Sequence, residues 1–165
     1  MLRYLGFIFF PLILSCSTKT NYDLGYTLSS KEEVIRKTFE FISSGDSAGI
    51  DKILLSRDQH NTMFWNHVGE LFASDKGMTA NDAYNWMNME TKIAENELIR
   101  EFKGKKLSIR NSECLGKRER YGPFILHLGC HITLADDIGK ETESSGIRSI
   151  LEYKGRFKLY HLRRE

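Results

Sequence analysis

The hydrophobic pattern of this chain changes period once, at Gly104, and that change limits the fold more than any other feature. Before it, apolar residues recur at three-and-four spacing, as in helices with one buried stripe. After it they alternate, as in strands with one buried face. Ser30 and Glu33 form a capping-box pattern that opens a first helix, with Val34, Ile35, Thr38, Phe39 and Ile42 on one side and Gly45 as its stop. Ile50, Ile53 and Leu54 mark a short second helix. Ser56 with Gln59 opens a third, striped by His60, Met63, Phe64, His67, Val68, Leu71 and Phe72. Thr79 with Asp82 opens a long fourth, striped by Ala83, Met87, Thr91, Ala94, Leu98 and Phe102.

Strand text follows. Lys105–Leu115 alternates. Phe124–Leu134 alternates most cleanly, with Phe124, Leu126, Leu128, Cys130, Ile132 and Leu134 sharing a face. Residues 135–146 read as a polar loop. Ile147–Tyr153 and Arg156–Leu162 then flank Lys154-Gly155, a two-residue hairpin turn. Helices first and a meander last predict an α+β fold, with the N-terminal helices packed on one face of a C-terminal curved antiparallel sheet. Residues 30–165, about 135 in number, suit a single domain.

The first fifteen residues are of another kind. Arg3 precedes an apolar run of eleven residues, Tyr4–Leu14, then Ser15 and Cys16, which is the layout of a secretory signal. The run is shorter than the roughly 20 residues that span a bilayer. Its ending, Ile13-Leu14-Ser15-Cys16, resembles a bacterial lipobox, and its loose build resembles those of spirochaetal lipoproteins. The resemblance implies that residues 1–15 are removed and that Cys16 is acylated, with palmitate among the chains. The protein is then expected to be exported and anchored by lipid to the cell envelope. Ser17, where an Asp would retain it, implies the outer membrane by the enteric sorting rule. Residues 16–29 read as a tether. The alternation of Tyr22, Leu24, Tyr26 and Leu28 offers the alternative of an extended segment docked on the domain.

The helix text EVIRKTFEFISSGD (Glu33–Asp46) and the closing GRFKLYHL resemble the NTF2-like, cystatin-like cone superfamily. That family usually places a strand among the helices, and none is legible here. The resemblance implies a pocket between the concave sheet and the helices, with Phe64, Val68, Phe124, Leu128, Phe157 and Leu159 as its lining. Enzymes of that superfamily use buried acid–base groups, so His67, His161 and Glu90 become the catalytic candidates.

Most other chemistry lacks its text. His60 and His67 are seven apart, about 10 Å on a helix. His127 and His131 are four apart, about 13 Å on a strand. Neither pair can share one metal, and no Cys-x-x-Cys or His-Glu-x-x-His motif occurs, so no metal site is expected. There is no Walker text and no Gly-x-Ser-x-Gly elbow, and no cofactor is expected. Removing residues 1–15 removes Arg3 and no acid, taking the net charge from +2 to +1, which gives no basis for nucleic-acid binding.

Cys114 and Cys130 meet an oxidising compartment after export, which favours a disulfide. Strict alternation opposes it. Cys114 falls on the outward face with Lys106, Ser108 and Arg110, whereas Cys130 falls inward. A bulge between Arg110 and Cys114 would bring both to one face, and the pairing stays open on sequence alone. The functional expectation is a lipid-anchored envelope protein that binds a small apolar ligand or an envelope partner without catalysis. The alternatives are an acid–base enzyme using a buried histidine and a purely structural or surface-interaction protein.

Overall fold

The computed structural model describes residues 21–69 and 77–164. Cys16 and the rest of the expected signal lie outside them, as do Leu71 and Phe72 of the third stripe. Among the described residues no helix is long and apolar enough to cross a membrane.

The helices start where their capping residues stand. In α1 (Lys31–Ser44) the Ser30 side chain accepts from the Glu33 backbone N–H, and Gly45 closes the helix in the left-handed region (φ 73°). The Glu33 carboxylate caps Ser29 instead, at 2.8 Å from its backbone nitrogen. Asp46 caps α2 (Ser47–Ile53). Ser56 and Gln59 form a reciprocal capping box at the start of α3, which runs through Arg57–Gln59, widens to π winding over His60–Phe64 and returns to α over 65–69. Thr79 and Asp82 form another at the start of α4 (Ala80–Phe102).

Seven strands follow: β1 (Ser108–Cys114), β2 (Arg118–Tyr121), β3 (Phe124–Leu128), β4 (Cys130–Ala135), β5 (Glu141–Ser144), β6 (Ile147–Tyr153) and β7 (Arg156–Leu162). They pair as β1-β4-β5 and β2-β3-β6-β7, all antiparallel. The chain crosses between these two ladders three times, from β1 to β2, from β3 to β4 and from β5 to β6. The result is one meander of long strands, bent along a line through 115–117, Gly129 and Ser145-Gly146. Backbone hydrogen bonds stitch that line: Gly116 N–H to Leu128 O (3.0 Å), Gly129 N–H to Arg148 O (2.8 Å) and Arg163 N–H to Gly146 O (2.8 Å). Gly129 breaks what the alternation presents as one strand, because its φ of 62° is left-handed. The expected polar loop at 135–146 contains β5, and the charged text of β2 was not expected as a strand.

The order of elements predicts all helices on one face of the sheet, but they pack on both faces of the β2-β3-β6-β7 ladder. The main core joins α1, α2 and the C-terminal half of α4 to β4, Ile147, Ile150, Leu159 and Leu162. A second core lies across the β2-β3-β6-β7 ladder, where Phe64 and Val68 of α3 meet Phe124, Leu126, Leu151 and Tyr153. Ile150 and Leu151 are successive strand residues and so point to opposite faces. The ladder is therefore covered on both sides.

The tether reading fails for residues 21–29. Leu24 and Leu28 are buried, the Tyr22 backbone N–H donates to the Tyr153 hydroxyl (3.0 Å), and Leu28 bridges Phe157 through two backbone bonds of 2.9 Å. Leu54 makes a parallel bridge to Leu159. These contacts occupy the outer edge of β7, which a bare edge strand would leave unpaired.

Candidate functional site

β-Bulges build a cleft on the second face of this fold. In the β6–β7 ladder Ile147 pairs Leu162, Ser149 pairs His161 and Ile150 pairs Leu159. Arg148 on β6 and Tyr160 on β7 therefore each lack an opposite residue. A bulge re-aims the side chains around it. Phe157 and Leu159 face the main core, but beyond the Tyr160 bulge His161 turns to the other face. There Arg148, Ser149, Tyr160 and His161 line a cleft of about 720 Å³.

α3 and the start of α4 form the opposite wall with Phe64, Trp65, Val68, Trp86 and Met87, while Leu126 and Leu128 form the floor. Of the six expected lining residues, Phe64, Val68 and Leu128 are in place. Phe124 is buried deeper in the second core, against Tyr22, Phe64 and His67. Phe157 and Leu159 lie before the bulge, opposite Glu152 and Ile150, and regular register turns them to the main core instead. The two bulge residues Arg148 and Tyr160, and Trp86, which stands outside the apolar stripes, line the cleft without being expected there.

The polar groups divide into pairs already satisfied and groups left over. Tyr121 donates to Glu119 at 2.5 Å, and Lys117 lies 3.3 Å from the same carboxylate. Burial and that carboxylate push the Tyr121 hydroxyl up to about 12. His60 is buried among Phe64, Trp65, Tyr84 and Tyr160, stacked on the last at 6.2 Å, with Nδ1 2.8 Å from Asn61 Oδ1. Burial lowers its pKa.

His161 is 5 % exposed. Its Nε2 lies 3.3 Å from Glu90 Oε2, but off the direction of a hydrogen bond, and makes none with any described residue. Burial, followed by the Arg148 and Arg163 guanidiniums, pushes its pKa down to about 4, so the imidazole stands neutral beside the carboxylate. His67 is not part of this group. Its Nε2 is 3.0 Å from the Tyr22 hydroxyl, and its ring lies 5.6 Å from Phe124. Of the three expected catalytic residues the fold brings together two.

Cys114 and Cys130 are opposite partners at the ends of β1 and β4, and a disulfide joins them. Ile109 pairs Leu134 and Asn111 pairs Thr133, so Arg110 is an extra residue. This bulge inverts the alternation after it and turns Cys114 toward Cys130. Among the described residues no cluster of three His, Cys, Asp or Glu could hold a metal ion.

Comparison with protein-family models, curated proteins and solved structures finds no match. The chain thus defines itself by an α+β fold with a bent antiparallel meander and by the cleft on its second face.

Proposed function

We propose that this chain is a lipid-anchored cell-envelope protein whose domain binds a small, largely apolar molecule in the cleft between α3, α4 and the β2-β3-β6-β7 ladder, without catalysis. The cleft carries the reading. Its volume lies in the range of small-molecule sites, and its wall is mostly aromatic and aliphatic with a few polar groups. The anchor rests on the lipobox-like text ending at Cys16. Because the domain already begins at Asn21, whose side chain lies 2.9 Å from Lys154 Nζ, five residue steps separate it from Cys16. Such a length spans at most about 18 Å, so the anchored domain works close to its membrane.

A neutral apolar fluorophore, N-phenyl-1-naphthylamine, tests the binding reading. It should bind with quenching of Trp65 and Trp86, and Leu128→Trp should abolish that binding by filling the cleft. Binding that survives Leu128→Trp, or none at all, would count against it.

An acid–base enzyme is the second reading, favoured by the 3.3 Å approach of Glu90 to His161. It ranks lower because the carboxylate makes no hydrogen bond that would orient the imidazole, and because His67 is engaged by Tyr22.

A further inference from the structure

We infer that the cleft selects a ligand with an anionic group at one end of a flat apolar body, the anion seated between Arg148 and Arg163. The inference rests on the cleft being a binding site, as proposed above.

Charge is distributed unevenly along the cleft. Phe64, Val68 and Leu126 give one part an apolar surface, and Leu128, paired with Ser149, borders the other. At the other, Arg148 is turned in by its bulge and Arg163 follows directly on β7. Arg163 donates from Nε to Ser145 O at 3.2 Å, which fixes the guanidinium at one edge and leaves its terminal nitrogens. Among the described residues neither arginine has an ion-pair partner.

Among the described residues no acid forms an ion pair with either arginine: Glu97 and Glu101 line a separate pocket with Arg163, where Glu97 pairs with Arg164 at 3.5 Å. Glu119 holds Tyr121 and Lys117. Glu90 approaches His161, on the side of the imidazole, and pairs with neither arginine. Buried His161 stays neutral in the field of both guanidiniums, so the positive charge at this end comes from the two arginines alone, and the ring keeps one N–H. Two unpaired guanidiniums beside a neutral donor, at the end of an apolar wall, match a carboxylate or sulfonate on an aromatic or aliphatic body. Arg148 is exposed and Arg163 half-buried, so both guanidiniums are open to an anion from solvent, and charge-assisted bonds to it are weakened by water but not abolished.

The test compares two probes with one aromatic body: 8-anilinonaphthalene-1-sulfonate, which carries the anion, and N-phenyl-1-naphthylamine, which does not. The polypeptide from residue 17 onward serves, since it holds every contact of the fold described above. The sulfonate should bind about tenfold more tightly than the neutral probe. Arg148→Gln and Arg163→Gln should each weaken the sulfonate about five- to tenfold and weaken the neutral probe much less. Arg148→Lys should keep most of the sulfonate affinity, and it separates loss of charge from loss of fold.

Equal affinities for the two probes, untouched by both arginine variants, would overturn the inference while the binding reading stands. If neither probe binds, or if Leu128→Trp leaves both affinities unchanged, the binding reading itself falls and the inference with it.

Discussion

Arg148 and Tyr160 are the two unpaired residues of the β6–β7 ladder, and each offsets the other. One extra residue on β6 is followed by one on β7, so register is restored within three positions. Leu159 and Leu162 both reach the main core, while Tyr160 and His161 between them reach the cleft. A regular ladder would send His161 to the same side as Leu159. The site therefore depends on two local defects whose net effect on the rest of the sheet is nil.

The bend of the sheet depends on Gly129. Its φ of 62° lies where a Cβ is disfavoured, and an added Cβ would stand 3.3 Å from the Gly116 Cα. Gly129→Ala should cost about 1–2 kcal/mol through the left-handed backbone alone. Urea denaturation monitored by tryptophan fluorescence measures it. An unchanged midpoint would mean that the bend relaxes without a glycine.

The disulfide closes a loop over a sequence separation of 16 residues. A loop of that size stabilises by about 3 kcal/mol. Replacing both cysteines by Ser should lower the thermal midpoint, and reductant should lower that of the natural chain but not that of the double variant. A midpoint insensitive to reductant in both would show that the bridge contributes nothing.

Acid should weaken the fold in part through His161. Its folded-state pKa is about 4, below the ordinary value of 6.5. Between those values the unfolded chain binds a proton that the folded chain refuses, so stability rises with pH across this window. The contribution is complete above about pH 6.5 and is lost as pH falls toward 4, about 3 kcal/mol. His60, also lowered by burial, acts in the same direction. His161→Asn should flatten the stability profile between pH 4 and 6.5 relative to the natural chain. Parallel profiles for the two proteins would refute the assignment.

The anchor is testable without reference to the cleft. Cys16→Ala should abolish labelling by a palmitate analogue and release the protein from the membrane fraction. Retention and processing identical to those of the natural chain would remove the lipoprotein reading.

Local chemistry made the helices legible. Ser30, Ser56 and Thr79 stand at the starts of helices because their side chains satisfy backbone donors a few residues on. Long alternating runs likewise marked β1, β3, β4, β6 and β7, since a half-buried strand writes its burial into every second residue. β2 and β5 escaped because their text is short and charged, RERY and ETES, and they exist through pairing with β3 and β4.

By itself the sequence determined where the helices begin, that a meander follows them, and that the class is α+β. Those properties depend on neighbours a few positions apart. Only the tertiary structure decided which residues share a face. Extra residues at Arg110, Arg148 and Tyr160 invert the alternation that follows them, and a bulge is set by the fit of two distant strands rather than by either one. The pairing of Cys114 with Cys130, the docking of Tyr22–Leu28 and the separation of His161 from His67 were all settled at that level.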